Sequence, residues 1–156
     1  MNTKNVPSLE LCQEFVRLCK EKGIVVPETE FIWVKEFPIF LSKDSIVIPD
    51  EYKMKLEASP LSEEAKSLIK TFPAPLVSQL GELLPWTLAG VDIGGDVNVS
   101  IEFQKVGYIH GVMYVENNET VASFKDDHIE QWDDKEANAR QKMINYLITE
   151  GIITKL

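Results

Sequence analysis

The chain has 156 residues, 44 % of them hydrophobic and 26 % charged, with 8 glycines, 8 prolines and 2 cysteines. That length suits one ordinary domain with enough apolar material for a core, which excludes a disordered chain, and two cysteines exclude a disulfide scaffold. A net charge of −9 makes a phosphate backbone or an anionic lipid surface a poor partner.

The charge is uneven, with −2 on residues 1–57 and −7 on residues 58–156, most of it between 116 and 136. No basic run exists to bind nucleic acid directly. No stretch approaches the length of apolar residues that spans a membrane, and Met1 to Phe15 lacks the apolar core of a secretory signal. A cytoplasmic location is therefore expected.

Ser8 follows Pro7 as an N-cap for a helix over 8–22. Leu11, Cys12, Phe15, Leu18 and Cys19 keep the spacing of one buried stripe, and Gly23 sits where a left-handed stop belongs. Seven helical residues separate the cysteines by about 10.5 Å, beyond the roughly 7 Å a disulfide bridges, so both should be reduced. Extended segments are expected at Ile24–Val26, Phe31–Lys35, Phe37–Leu41 and Ser45–Ile48, with Lys43-Asp44 as a hairpin tip. Residues 50–71 are helix-prone, with Ser59-Pro60 or Ser62 as start signals. Phe72-Pro73-Ala74-Pro75 reads as a rigid connector, and a short helix follows over Leu76–Leu84.

Val97, Val99, Ile101 and Phe103 alternate with polar residues as a half-buried strand. Gln104–Gly107 is expected to turn into a strand over Tyr108–Val115, and Asn117-Asn118 into a third over Thr120–Phe124. Pairing Phe103 with Tyr108 puts Ile101 opposite His110, Val99 opposite Val112 and Val97 opposite Tyr114, all on one face. The last helix runs from about Lys135 to Glu150, with Asp133 and Glu136 spaced as a capping box and Ala137, Arg140, Ile144, Leu147 and Ile148 on one side. The expected fold is α+β: an antiparallel sheet containing a three-stranded meander over 97–125, with N-terminal and C-terminal helices packed on it. Residues 1–156 read as a single domain, with 72–75 as a candidate seam.

From Phe72 onward the layout is a proline pair, a short helix ending Leu83-Leu84-Pro85, a meander, a closing helix over Ala137–Ile148 and a small apolar tail. This resembles small proteins of unassigned function encoded by bacterial phages and integrated mobile elements. The resemblance covers a little over half the chain and implies a bacterial, cytoplasmic, mobile-element context, with no reaction attached.

Several residues are candidates for chemistry. Asp126, His128 and Glu130 alternate as metal ligands on a strand would, but the stretch lacks the glycine and glutamate of a calcium loop and the cysteines of a zinc site. No metal or cofactor is expected. Asp126, Asp127, Glu130 and Trp132 together have the composition of a protein interface, an exposed indole among acids. Trp33 and Trp86 also stand in or beside polar segments. His110 between Tyr108 and Tyr114 is the alternative, a pocket with a general base. The sequence thus points to a non-enzymatic accessory or protein-interaction factor of mobile-element type. The alternative is a small enzyme or ligand-binding domain built around His110.

Overall fold

The computed structural model describes residues 5–35, 46–88, 99–116 and 130–156. Within them the order is α1 (Leu9–Lys22), β1 (Phe31–Lys35), β2 (Ile46–Pro49), α2 (Glu51–Glu57), α3 (Glu63–Leu68), β3 (Lys70–Pro73), α4 (Val77–Leu83), β4 (Thr87–Leu88), β5 (Val99–Val106), β6 (Ile109–Glu116), β7 (Glu130–Asp133) and α5 (Glu136–Thr149). The fold is α+β with two antiparallel sheets, one ordered β2-β1-β3 and the other β4-β5-β6-β7.

α1 forms where its caps place it. The Ser8 hydroxyl accepts from the Leu11 amide at 3.4 Å, and Gly23 closes the helix at φ 69°. Its buried stripe is Cys12, Phe15, Leu18 and Cys19. Burial pushes the Cys12 thiol up to about 12 and the Cys19 thiol up to about 11. These are the thiols of core hydrophobes rather than nucleophiles. Ser62 caps α3 by accepting from the Ala65 amide at 3.1 Å, and α4 occupies the short apolar helix expected there.

The structure departs from the sequence reading at four places. Lys70-Thr71, read as helix-prone, and Phe72-Pro73, read as the start of a connector, instead form β3, which pairs antiparallel with β1, Trp33 opposite Phe72, and its proline falls at the strand's end where no ladder donor is needed. β5 runs on to Val106, so the turn is the two-residue Gly107-Tyr108, which Gly107 allows by adopting φ 61°. The register is consequently Ile101 opposite Tyr114, Phe103 opposite Val112 and Lys105 opposite His110. It differs from the expected pairing by four residues, an even slip that keeps Ile101, Phe103, His110, Val112 and Tyr114 on one face as expected but moves Tyr108 into the turn. Residues 130–133, given no element in the sequence reading, are the strand β7 that pairs with β6.

The fourth departure is at α5. Its N-cap is Lys135, with no side-chain cap, so Asp133 and Glu136 form no capping box. Instead the Asp133 carboxylate accepts from the Lys135 amide at 3.0 Å, an Asx turn just outside the helix. The expected strands at 37–41 and 120–124, and the turns at 43–44 and 117–118, lie outside the described residues.

α5 is the centre of the molecule. The main core joins Met143, Ile144, Leu147 and Ile148 to Phe15 and Leu18 of α1, Leu80 of α4, Leu84 just beyond it, and Val112 and Tyr114 of β6. Each such side chain contributes roughly 1.5–3 kcal/mol on burial. A smaller cluster of Val6, Val47 and Ala74 sits with Phe31, Trp33 and Leu76 beside the first sheet. The Trp33 indole is tied there, donating to the Pro7 carbonyl at 3.0 Å.

Because neighbours surround it, α5 is buried on more than the one stripe its apolar residues mark, and Gln141 and Asn145 are buried too. They serve the contact with α1. Asn145 donates to the Leu11 carbonyl at 3.3 Å and to Glu14 at 3.2 Å, and it accepts from Gln141 at 2.9 Å. Asn138, two turns before Asn145, accepts from the Ser8 amide at 2.8 Å and so satisfies the donor that precedes α1.

Candidate functional site

Two charged clusters lie at the start of α5. In the first, Asp133 receives the Lys142 ammonium at 2.7 Å, the Asn138 carboxamide at 3.0 Å and the Lys135 amide. Burial alone would raise its pKa. The Asp134 side chain, Lys142, Lys135 and Asn138 outweigh burial and hold the carboxyl well below the usual carboxylate range.

The second cluster opens to the surface. Glu136 and Arg140 stand one turn apart and their side chains pair. Arg140 also donates to the Val77 carbonyl at the start of α4 at 3.0 Å, and its guanidinium lies 4.2 Å from the centre of the Phe103 ring. Its Nε is buried with no acceptor among the described residues. Gly81 of α4 makes room for this: a Cβ there would collide with the Arg140 Nη1. A glycine inside a helix costs about 1 kcal/mol relative to alanine, and here the cost brings a cation against the helix.

Between α4, β5 and α5 this arrangement leaves a cleft of about 340 Å³, bounded by Glu82, Trp86, Ile101, Phe103 and Arg140. Ser78, Gly81 and Glu82 share the face of α4 that lines it, as residues three and four apart must. The Trp86 carbonyl accepts from the Ile101 amide at 3.0 Å, which pins its backbone to β5, yet its side chain is 75 % exposed. Phe103 remains 41 % exposed although it faces inward with Ile101, Val112 and Tyr114. The cleft is of ordinary ligand-pocket size, walled by aromatics and floored by a clamped arginine.

The residues proposed from sequence are distributed differently. Trp132 is half-buried on β7, directly opposite Gly111, and its ring fills the place a Cβ would take, coming within 2.7 Å of it. It is a packing residue of the sheet's outer face. Glu130 is exposed opposite Met113, while Asp126 and Asp127 lie outside the described residues, as does His128.

Tyr108, His110 and Tyr114 do not come together. Tyr108 is in the turn and 92 % exposed. Tyr114 is buried, and its hydroxyl donates to the Pro85 carbonyl at 2.6 Å; burial pushes its phenol well above the ordinary range. His110 has gained a carboxylate that no sequence spacing showed, with Nδ1 3.8 Å from Glu136 Oε2. That is ion-pair range, too long for the hydrogen bond that orients a catalytic base.

Sequence reasoning missed the cleft's cation and its acid. Two signals were present: the Glu136–Arg140 spacing on one helix, and a glycine inside the helix expected at 76–84. Among the described residues no group of three His, Cys, Asp or Glu side chains could hold a metal, and no helix is long and apolar enough to cross a membrane. No protein-family model, no curated protein and no solved structure matches the chain.

Proposed function

We propose that the protein is a non-enzymatic interaction factor that holds a partner protein in the cleft between α4, β5 and α5. The observation that carries this reading is a single cleft lined by an exposed indole, Trp86, by Phe103 and by a guanidinium anchored by Val77 and Glu136. Tryptophan and arginine are the side chains that dominate protein interfaces, above all when held rigidly around a depression. The buried thiols and the separation of Tyr108, His110 and Tyr114 leave no nucleophile with a base beside it among the residues considered for catalysis. An accessory role of mobile-element type and a cytoplasmic setting agree with this reading; the first is supported by the resemblance of residues 72–156, the second by the sequence.

Panning a random peptide library against the full chain tests the proposal. Peptides that bind the native protein and lose binding to Trp86→Ala and Phe103→Ala variants of unchanged circular dichroism are the expected result. Selected peptides that bind both variants as well as they bind the native chain would remove the cleft as the interaction site.

A further inference from the structure

One carboxylate oxygen at the start of α5 has two claimants. Arg140 donates through Nη1 to the Val77 carbonyl and through Nη2 to Oε1 of Glu136, while its Nε is buried with no acceptor among the described residues. The Nε and Nη2 hydrogens of a guanidinium point the same way, so one carboxylate facing that edge takes both. Glu136 gives the edge a single oxygen. Its second oxygen, Oε2, lies 3.8 Å from Nδ1 of His110 instead. A buried donor without an acceptor carries the full cost of leaving water, and the carboxylate that could satisfy it already holds the neighbouring Nη2. The last torsion of a glutamate is soft, so the carboxylate turns easily.

His110 is placed to decide where Oε2 goes. On β6 it stands opposite Lys105 of β5 and Asp133 of β7, and from α5 it meets Glu136, itself paired with Arg140. Lys105 is exposed, so water screens its charge. Asp133 is engaged by Lys142 at 2.7 Å and held well below the usual carboxylate range, so it stays charged near neutrality. Carboxylates, ammonium groups and guanidinium groups ordinarily keep their charge between about pH 5.5 and about pH 8, whereas an imidazole changes its charge there.

We propose that Glu136 is a pH-dependent latch on Arg140. With His110 protonated, the imidazolium keeps Oε2, and Arg140 is held by Glu136 through Nη2 alone. With His110 neutral, Oε2 turns to Nε and closes a two-point pair. Arg140 also reaches Val77 at the start of α4 and lies against Phe103 of β5. The latch therefore passes the charge of a histidine on β6 to the residue that joins the three walls of the cleft. It acts in the free protein, whether or not a partner protein occupies the cleft.

The chain has two arginines, Arg17 and Arg140, and two histidines, His110 and His128. A proton–nitrogen correlation spectrum of the labelled full chain thus contains two arginine Nε–Hε signals, and Arg140→Lys assigns them. Arg17, exposed on α1 and paired with Glu21, is the reference. Between about pH 5.5 and about pH 8 the Arg140 signal should move to higher proton frequency, as a new hydrogen bond to a carboxylate requires, with the midpoint of the His110 ring signals. In His110→Gln it should stand at its high-pH position throughout. In Glu136→Gln it should not move with pH.

An Arg140 signal that stays in place while His110 titrates would overturn the proposal, as would movement to lower frequency with rising pH. A shift that survives Glu136→Gln would show the imidazolium acting on Arg140 through its field alone, and one that survives His110→Gln would assign the titration to another group; either result overturns the latch. The native chain by itself delivers the first two outcomes, so the test does not depend on the variants, and unchanged circular dichroism shows that each variant folds. The library experiment separately decides whether the cleft binds protein.

Discussion

The two charged clusters at the start of α5 use the same materials and reach opposite ends. Around Asp133, an ammonium, a backbone amide and a carboxamide converge on one carboxylate, and nothing is left over. Around Arg140, one carboxylate and one carbonyl meet a group with five donors, beside a half-exposed ring and a fully formed cleft. A saturated cluster stabilises a helix start. A cluster with unspent groups next to an exposed indole is available to a partner. Composition does not separate the two; the count of satisfied donors and acceptors does.

The contrast breaks most easily at Asp133. Asp133→Ala should cost about 2 kcal/mol in urea unfolding, because Lys142, Asn138 and the Lys135 amide all lose their acceptor. Peptide binding at the cleft should survive it. Loss of less than about 0.5 kcal/mol would show that the cluster is not the structural one.

Arg140→Ala should cost about 1 kcal/mol, since the stem and the Val77 bond are lost but Glu136 is left partly in water. Here binding at the cleft should fall with stability largely kept, the reverse of Asp133→Ala. Equal loss of both properties in the two variants would erase the distinction.

Acidity sharpens the comparison. The Asp133 carboxyl titrates well below its ordinary range when folded, and an unfolded aspartate titrates near 3.9, so the charged form stabilises the native state at all pH above that value. This contribution is lost as pH falls below about 4 towards the folded pKa. The gap in urea midpoint between the native chain and Asp133→Asn should therefore be constant from about pH 6 to about pH 8 and narrow below about pH 4. A gap as wide at pH 3 as at neutrality would contradict the assignment. The smallest effect is expected of Trp86→Ala. At 75 % exposure its removal should change stability by no more than about 0.5 kcal/mol.

Much of the fold was legible because its signals are local. The stripe of Cys12, Phe15, Leu18 and Cys19 with its caps gives α1, and the alternation around Ile101 and Phe103 gives the inward face of β5. The register slipped by four residues because Gly107 permits a shorter turn than the polar run Gln104–Gly107 suggests, and periodicity two cannot distinguish even slips.

What stayed hidden depends on tertiary neighbours. Asn138, Gln141 and Asn145 look like solvent positions on α5 until α1 covers them. Trp132 reads as an exposed aromatic among acids until Gly111 is placed opposite it. The cleft needs Gly81, Phe103 and Arg140 from three elements, and no spacing along one element encodes that meeting.

The three tryptophans supply a direct reading of the central claim. Trp33 donates its indole hydrogen to Pro7, Trp132 lies over Gly111, and Trp86 stands exposed in the cleft. In a proton–nitrogen correlation spectrum each indole gives its own signal, assigned by single replacement with phenylalanine. Titrating a library-selected peptide that requires Trp86 and Phe103 into the full chain should move the Trp86 signal progressively and leave those of Trp33 and Trp132 in place. Movement of the Trp132 signal with Trp86 unmoved would place binding on the outer face of the second sheet and contradict the account.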